Sequence, residues 1–151
     1  MKTRYCFFVA FFLICLIPDF ISAQDISVHY FIGKPKSDVI KKYGNPAHQD
    51  NSNPDMMCMF YQTKTNRMIF VSNKDGVYQS ESTANFSTEA GARKAVDELI
   101  KNSIADGFAV DTVSANDFQL HKTGVKADVQ MTENKISKNF DVSVKARKSE
   151  D

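Results

Sequence analysis

Ile32-Gly-Lys-Pro-Lys-Ser-Asp-Val-Ile-Lys-Lys-Tyr-Gly-Asn-Pro46 carries a short helix together with its start and stop signals. Pro35 suits the first helical position, where a missing N–H removes nothing and the fixed φ is already helical. Val39, Ile40 and Tyr43 recur on one face at helical spacing, and Lys36, Lys41 and Lys42 take the other. Gly44 can adopt the left-handed conformation that ends a helix, and Pro46 blocks its continuation. About three turns are too few to persist alone in water. The apolar stripe therefore has to dock, and the residues that follow offer a sheet.

Upstream, Gln24–Phe31 alternates Ile26, Val28 and Tyr30 against Ser27, His29 and Phe31, a pattern that predicts a short strand. Downstream, Ala47–Asp55 is polar and ends in Asn53-Pro54, which reads as a loop. Strands are expected at Met56–Gln62, Arg67–Ser72 and Val77–Glu81, with Asp75-Gly76 as a hairpin signal before the third.

A second helix is then expected from an N-cap at Ser87, through Glu89 in the first turn, to a closing Gly107. Ala92, Val96, Leu99, Ile100 and Ile104 form its apolar stripe, while Arg93, Lys94, Asp97, Glu98 and Lys101 take the wet side. Asp97 and Lys101 are ordered for an i,i+4 pair worth about 0.2–0.5 kcal/mol. After Gly107 the period returns to two, with strands at Phe108–Val113, Phe118–His121, Val125–Met131 and Asn139–Arg147. In the last two, Val125, Ala127, Val129 and Met131 share one side, as do Phe140, Val142, Val144 and Ala146. Polar residues occupy the alternate positions, the pattern of an antiparallel sheet with one wet face.

The expected fold is α+β. It is a single domain over residues 24–151, built from two helix-plus-antiparallel-meander halves, about 24–84 and 85–148. Its helices pack on one face of an antiparallel sheet.

Residues 1–23 read as a secretory signal peptide: a basic start at Lys2 and Arg4, an apolar run from Tyr5 to Ile17, a break at Pro18, and Ile21-Ser22-Ala23 before the cleavage point. The run is shorter than the roughly 20 apolar residues that span a bilayer. The expected location is exported, periplasmic or secreted, with no membrane span once the signal is removed. Its removal takes away Lys2, Arg4 and Asp19, leaving equal numbers of cationic and anionic side chains. A neutral chain has no electrostatic footprint for nucleic acid. Cys58 is then the only cysteine, so no internal disulfide can form.

Gly33, Val39, Tyr43, Gly44 and Pro46, followed by Asp75-Gly76-Val77, resemble a motif of two related families. One comprises the small outer-membrane-assembly lipoproteins of the SmpA/OmlA type. The other comprises the β-lactamase-inhibitor-protein-like domains, which repeat helices plus an antiparallel sheet twice. The resemblance covers residues 32–82, and the second half follows in element order. It departs from the lipoproteins at the lipidation cysteine, because the large Ile14 precedes Cys15 where such sites use a small residue. It implies an exported binding module for a protein or envelope component, or alternatively an inhibitor or accessory subunit of a secreted enzyme.

The chemical candidates are few. Met56-Met57-Cys58-Met59 offers sulfur ligands suited to soft ions, but on a strand Met56 and Cys58 face away from Met57 and Met59. His29, His48 and His121 lack metal-ligand spacing, and no local signature pairs Cys58 with a histidine. Asp106, Asp111 and Asp117 lack the spacing of a calcium loop. Asn85-Phe86-Ser87 matches a glycosylation sequon and is read as the entry to the second helix. There is no Gly-rich phosphate loop and no Gly-x-Ser-x-Gly. No catalytic residue, metal or cofactor is expected.

A surface remains. The first meander strand sets Met57, Met59 and Tyr61 against Met56, Cys58 and Phe60, and the second sets Met68 and Phe70 against Ile69 and Val71. The first helix covers only one of these apolar faces. The other has to meet the rest of the chain, a ligand or a partner. The expected partner-binding residues are Met57, Met59, Tyr61 and Tyr78.

Overall fold

Eight strands form one antiparallel sheet in the computed structural model, which describes residues 24–150. The expected signal peptide lies outside the described residues. In chain order the elements are a 3-10 turn at Val28–Phe31, α1 at Lys36–Tyr43, β1 at His48–Asp50, β2 at Met57–Gln62, β3 at Asn66–Asn73 and β4 at Gly76–Phe86. α2 at Glu89–Ala105, β5 at Ala109–Thr112, β6 at Asp117–Lys122, β7 at Val125–Glu133 and β8 at Phe140–Lys148 follow. Across the sheet the order is β1-β2-β3-β4-β8-β7-β6-β5, so the two long strands β4 and β8 meet at its centre.

The strand register sorts the side chains into two faces. Met59, Phe70, Ser80, Ala146, Ala127, Leu120 and Val110 form one continuous row on the inner face. Tyr61, Met68, Ser82, Val144, Val129 and Phe118 form the next. Both helices pack on this side. α1 buries Val39 completely and sets Tyr43 against Phe31, Tyr61 and Phe70, with ring centroids 5.5–5.8 Å apart. α2 lays Ala92, Val96, Leu99 and Ser103 over β4, β5, β7 and β8. The alternation in β7 and β8 places Ala127, Val129 and Met131 in the core beside Val142, Val144 and Ala146, as the sequence predicts.

Gln24–Phe31 is not a strand. It crosses the inner face as an irregular segment ending in the 3-10 turn, over the middle of the sheet. With no neighbouring strand beside it, its carbonyls need other donors, because a buried unpaired carbonyl is costly. Asn66 Nδ2 donates to Asp25 O (2.8 Å), Ser82 Oγ to Ile26 O (3.2 Å) and Ser80 Oγ to Val28 O (3.0 Å). The end of the segment is clamped by two backbone bonds, Gly33 N–H to Val77 O (2.7 Å) and Val77 N–H to Lys34 O (2.8 Å). β4 outruns its expected end by five residues because this cover continues along it.

Other boundaries move by small amounts. Pro35 sits one place earlier than expected, as the N-cap: its ψ of 150° is extended, and its carbonyl accepts from Asp38 N–H. Gly44 ends α1 with φ +78°, its N–H bonded to Ile40 O. Thr88, not Ser87, caps α2, its Oγ1 accepting from Gly91 N–H at 3.1 Å. Ala47–Asp55 contains the short β1. On α2 the ion pair observed is Lys94–Glu98, at 4.0 Å. Ile104 is 56% exposed, because the polar Ser103 takes the inward position in the last turn.

Gly76 is where backbone freedom matters most. At φ +116° an added Cβ would lie 2.8 Å from the Lys34 carbonyl oxygen, which cannot retreat without breaking the clamp. Gly124 has a similarly positive φ of +79° with open space around it. Gly76→Ala is therefore expected to lower unfolding free energy by about 3 kcal/mol and Gly124→Ala by about 1 kcal/mol, read from urea unfolding midpoints.

Candidate functional site

Among the described residues, no helix lies on the outer face of the sheet. Its side chains run in rows set by the same register. One row is Cys58, Val71, Gln79, Arg147, Lys126, His121 and Ala109. The next is His48, Phe60, Ile69, Glu81, Lys145, Asp128, Gln119 and Asp111. The β2–β3 end is apolar, with Cys58, Phe60, Ile69 and Val71 all half-buried by one another. His48 from the edge strand stacks on Phe60, ring centroids 5.6 Å apart. The register slips between Val71 and Ser72, and Tyr78 is the extra residue of the resulting bulge.

The other end is polar. Arg147 lies 3.6 Å from Asp128, and His121 lies 3.2 Å from Asp111. Asp117 accepts from Ser114 Oγ (2.6 Å) and Gln130 Nε2 (2.8 Å), bonds that hold its carboxyl below the usual range. Burial, and secondarily the charge of Asp50, push the Cys58 thiol up, so it is a poor nucleophile. Asn85 of the sequon donates to Asp141 and accepts from Asn139.

The structure splits the four residues expected to bind a partner. Met59 is fully buried, and Tyr61 is 5% exposed with its hydroxyl donating to Gly44 O at 3.0 Å. Both lie buried on the inner face, where a partner cannot reach them. Met57 is half-buried on the same inner face, its sulfur 3.7 Å from Lys36 Nζ. Tyr78, half-buried at the bulge, lies next to the apolar corner in sequence and register. The apolar surface left open is the alternate set, Cys58, Phe60, Ile69 and Val71. Side-chain parity carried a signal for this: Phe60 shares its face with Gln62, and Ile69 with Arg67, whereas Met59 and Tyr61 have no polar companion on β2.

A second feature lies inside. His29 is 1% exposed, with its ring against Tyr30 (centroids 4.0 Å) and Phe108 (5.1 Å). Its Nε2 is 3.1 Å from Ser103 Oγ, and that hydroxyl donates to Leu99 O at 2.8 Å. The serine proton is thus committed, so the imidazole donates from Nε2 and Nδ1 is a bare acceptor, buried with no protein partner. Burial lowers the pKa of His29 to about 4, with Asp106 and then Asp25 opposing the shift more weakly. His29 helps to line a cavity of about 410 Å³, together with Tyr30, Lys34, Asp106, Phe108 and Lys122. His29 Nδ1 and the Tyr30 hydroxyl are both buried, without a hydrogen-bond partner. Among the described residues, no group of three or more His, Cys, Asp or Glu side chains is placed to hold a metal ion, and no helix is long and apolar enough to cross a membrane.

No family model and no curated protein matches the chain. Among solved structures it is similar to a cysteine-rich secretory protein from Staphylococcus aureus subsp. aureus Mu50, at 10% identity over 81% of this chain and 48% of that one, with a TM-score of 0.43. It is also similar to an extracellular protein containing a SCP domain from Bacillus anthracis str. Ames, at 12% identity over 82% of this chain and 46% of that one, with a TM-score of 0.45. The chain spans about half the length of each. Both likenesses are too loose to place it in a family.

The two faces of β2 and β3 should respond differently to truncation. Phe70→Ala, at a fully buried site, is expected to cost about 3–5 kcal/mol. Phe60→Ala, on the open face, should cost about 1 kcal/mol. Urea unfolding of the two variants side by side checks the assignment.

Proposed function

We propose that this chain is an exported, non-enzymatic binding module that docks a protein or envelope component on the open face of its sheet. The observation that carries the reading is the uncovered apolar corner Cys58, Phe60, Ile69 and Val71, bordered by Tyr78. The inner face already holds both helices and the segment Gln24–Lys34, and among the described residues none covers the outer one. Half-buried apolar groups at one end and mixed charges at the other offer the two kinds of contact a protein partner uses. His29 does not favour a catalyst, since its free nitrogen is enclosed.

The strand order supports the reading of two halves. β1–β4 follow α1, β5–β8 follow α2, and the halves join where β4 pairs with β8. That layout agrees with what the resemblance to the inhibitor-protein-like and outer-membrane-assembly families implies.

The test is capture from an envelope extract and from culture supernatant with three immobilised proteins: wild type, Ile69→Lys, and Lys101→Glu on the wet side of α2. A specific partner should be retained by wild type and Lys101→Glu. Retention by Ile69→Lys should fall at least about tenfold, since a buried unpaired ammonium at the contact costs well over the 1.4 kcal/mol this represents. Equal capture by all three, with circular dichroism showing each folded, overturns the open face as the docking surface.

A further inference from the structure

We propose that Gln24–Lys34 is an acid-released latch, pinned between the sheet and the end of α2 by the neutral imidazole of His29. The pin works through geometry. Protonated His29 would keep its Nε2–H bond to Ser103, but the new N–H at Nδ1 would face no acceptor inside the protein. A buried cation with an unpaired donor is unstable where it stands, and moving the segment into water relieves it.

The nearby carboxylates of Asp106 and Asp25 offset only part of the cost of burial, and neither bonds to Nδ1. On the segment itself, Asp25 is taken by Tyr43 Oη at 3.1 Å and Lys42 Nζ at 3.7 Å. The Tyr30 hydroxyl is enclosed and neutral. After α2, Asp106 acts on His29 through space and does not bond to it. β6 contributes Lys122, whose ammonium donates to Asp106 O at 2.7 Å and lies 5.5 Å from the centre of the Phe108 ring. The loop before α1 contributes Lys34, over Phe31.

The segment packs Ile26, Val28, Phe31 and Ile32 into the core but makes no ladder of its own, with a two-bond backbone clamp only at its end. Single bonds from Asn66, Ser80 and Ser82 secure its carbonyls, whereas the strands beneath share continuous ladders. Gly33, at φ +81°, and Pro35 stand where it would swing. Elements with few backbone bonds open first.

The sign follows from the two protonation states. The released segment binds its proton near 6.5 and the docked one only near 4. Docking is therefore at full strength above pH 6.5, weakens as pH falls toward 4, and levels off below that. Between about pH 7.5 and 4.5 the open population should rise on the order of 50- to 100-fold.

Hydrogen exchange read by mass spectrometry on the purified protein tests this, with protection factors corrected for the intrinsic pH dependence. Amides 26–34 should lose protection by about that factor while β7 and β8 keep theirs, and His29→Phe should abolish the difference. The proposal is overturned if segment and sheet lose protection together, if neither does, or if His29→Phe behaves as wild type. Should His29→Phe fail to fold, nuclear magnetic resonance titration of the imidazole in the wild-type protein decides. Opening has to follow that titration, and an imidazole that charges near 6.5 while residues 26–34 stay protected overturns the latch.

Discussion

Two serine hydroxyls in the middle of a hydrophobic face let this fold close its core. A sheet eight strands wide is too broad for two short helices to cover, and its central strands would be left wet between them. The chain closes the gap with Gln24–Lys34, a segment that makes no ladder of its own. Its carbonyls would be orphaned in the core if β4 presented only aliphatic side chains. Ser80 and Ser82 are small enough to let the segment approach and polar enough to bond it. Both helices meet at that seal: α1 reaches the segment through Phe31 and Tyr43, and α2 reaches it through Ser103 and His29.

The same seal explains which parts of the fold were legible in the sequence. Helices and strands with long periodic patterns were readable, because solvent on one side and core on the other impose the period directly. Val96, Leu99 and Ala92 on α2, and the alternating Val and Ala of β7 and β8, are of this kind. Gln24–Phe31 was not, because its alternation is genuine but serves a single segment lying on a sheet, where the donors come from residues about 41 to 56 places away in sequence. Ser103 in place of Ile104 at the inner position of α2 has the same origin: the helix end meets a histidine rather than an aliphatic core.

For the surface, the sequence carried the existence of a second apolar face but not its address. β2 and β3 are apolar on both sides, and period-two patterning is blind to which side is covered when both read alike. Tertiary packing of α1 on Tyr61 and Phe70 settles it, and Phe60 and Ile69 are left outside. Gln62 and Arg67, sharing parity with those two, were the local trace of that choice.

The borders of the sheet shape how the open face can be used. β1 and β5 are three and four residues long, so the outermost hydrogen-bonding groups form stubs beside much longer inner strands. Brief margins give an incoming strand little to grip. A broad, partly greasy platform can thus be displayed without inviting its own kind to stack on sideways into fibrils.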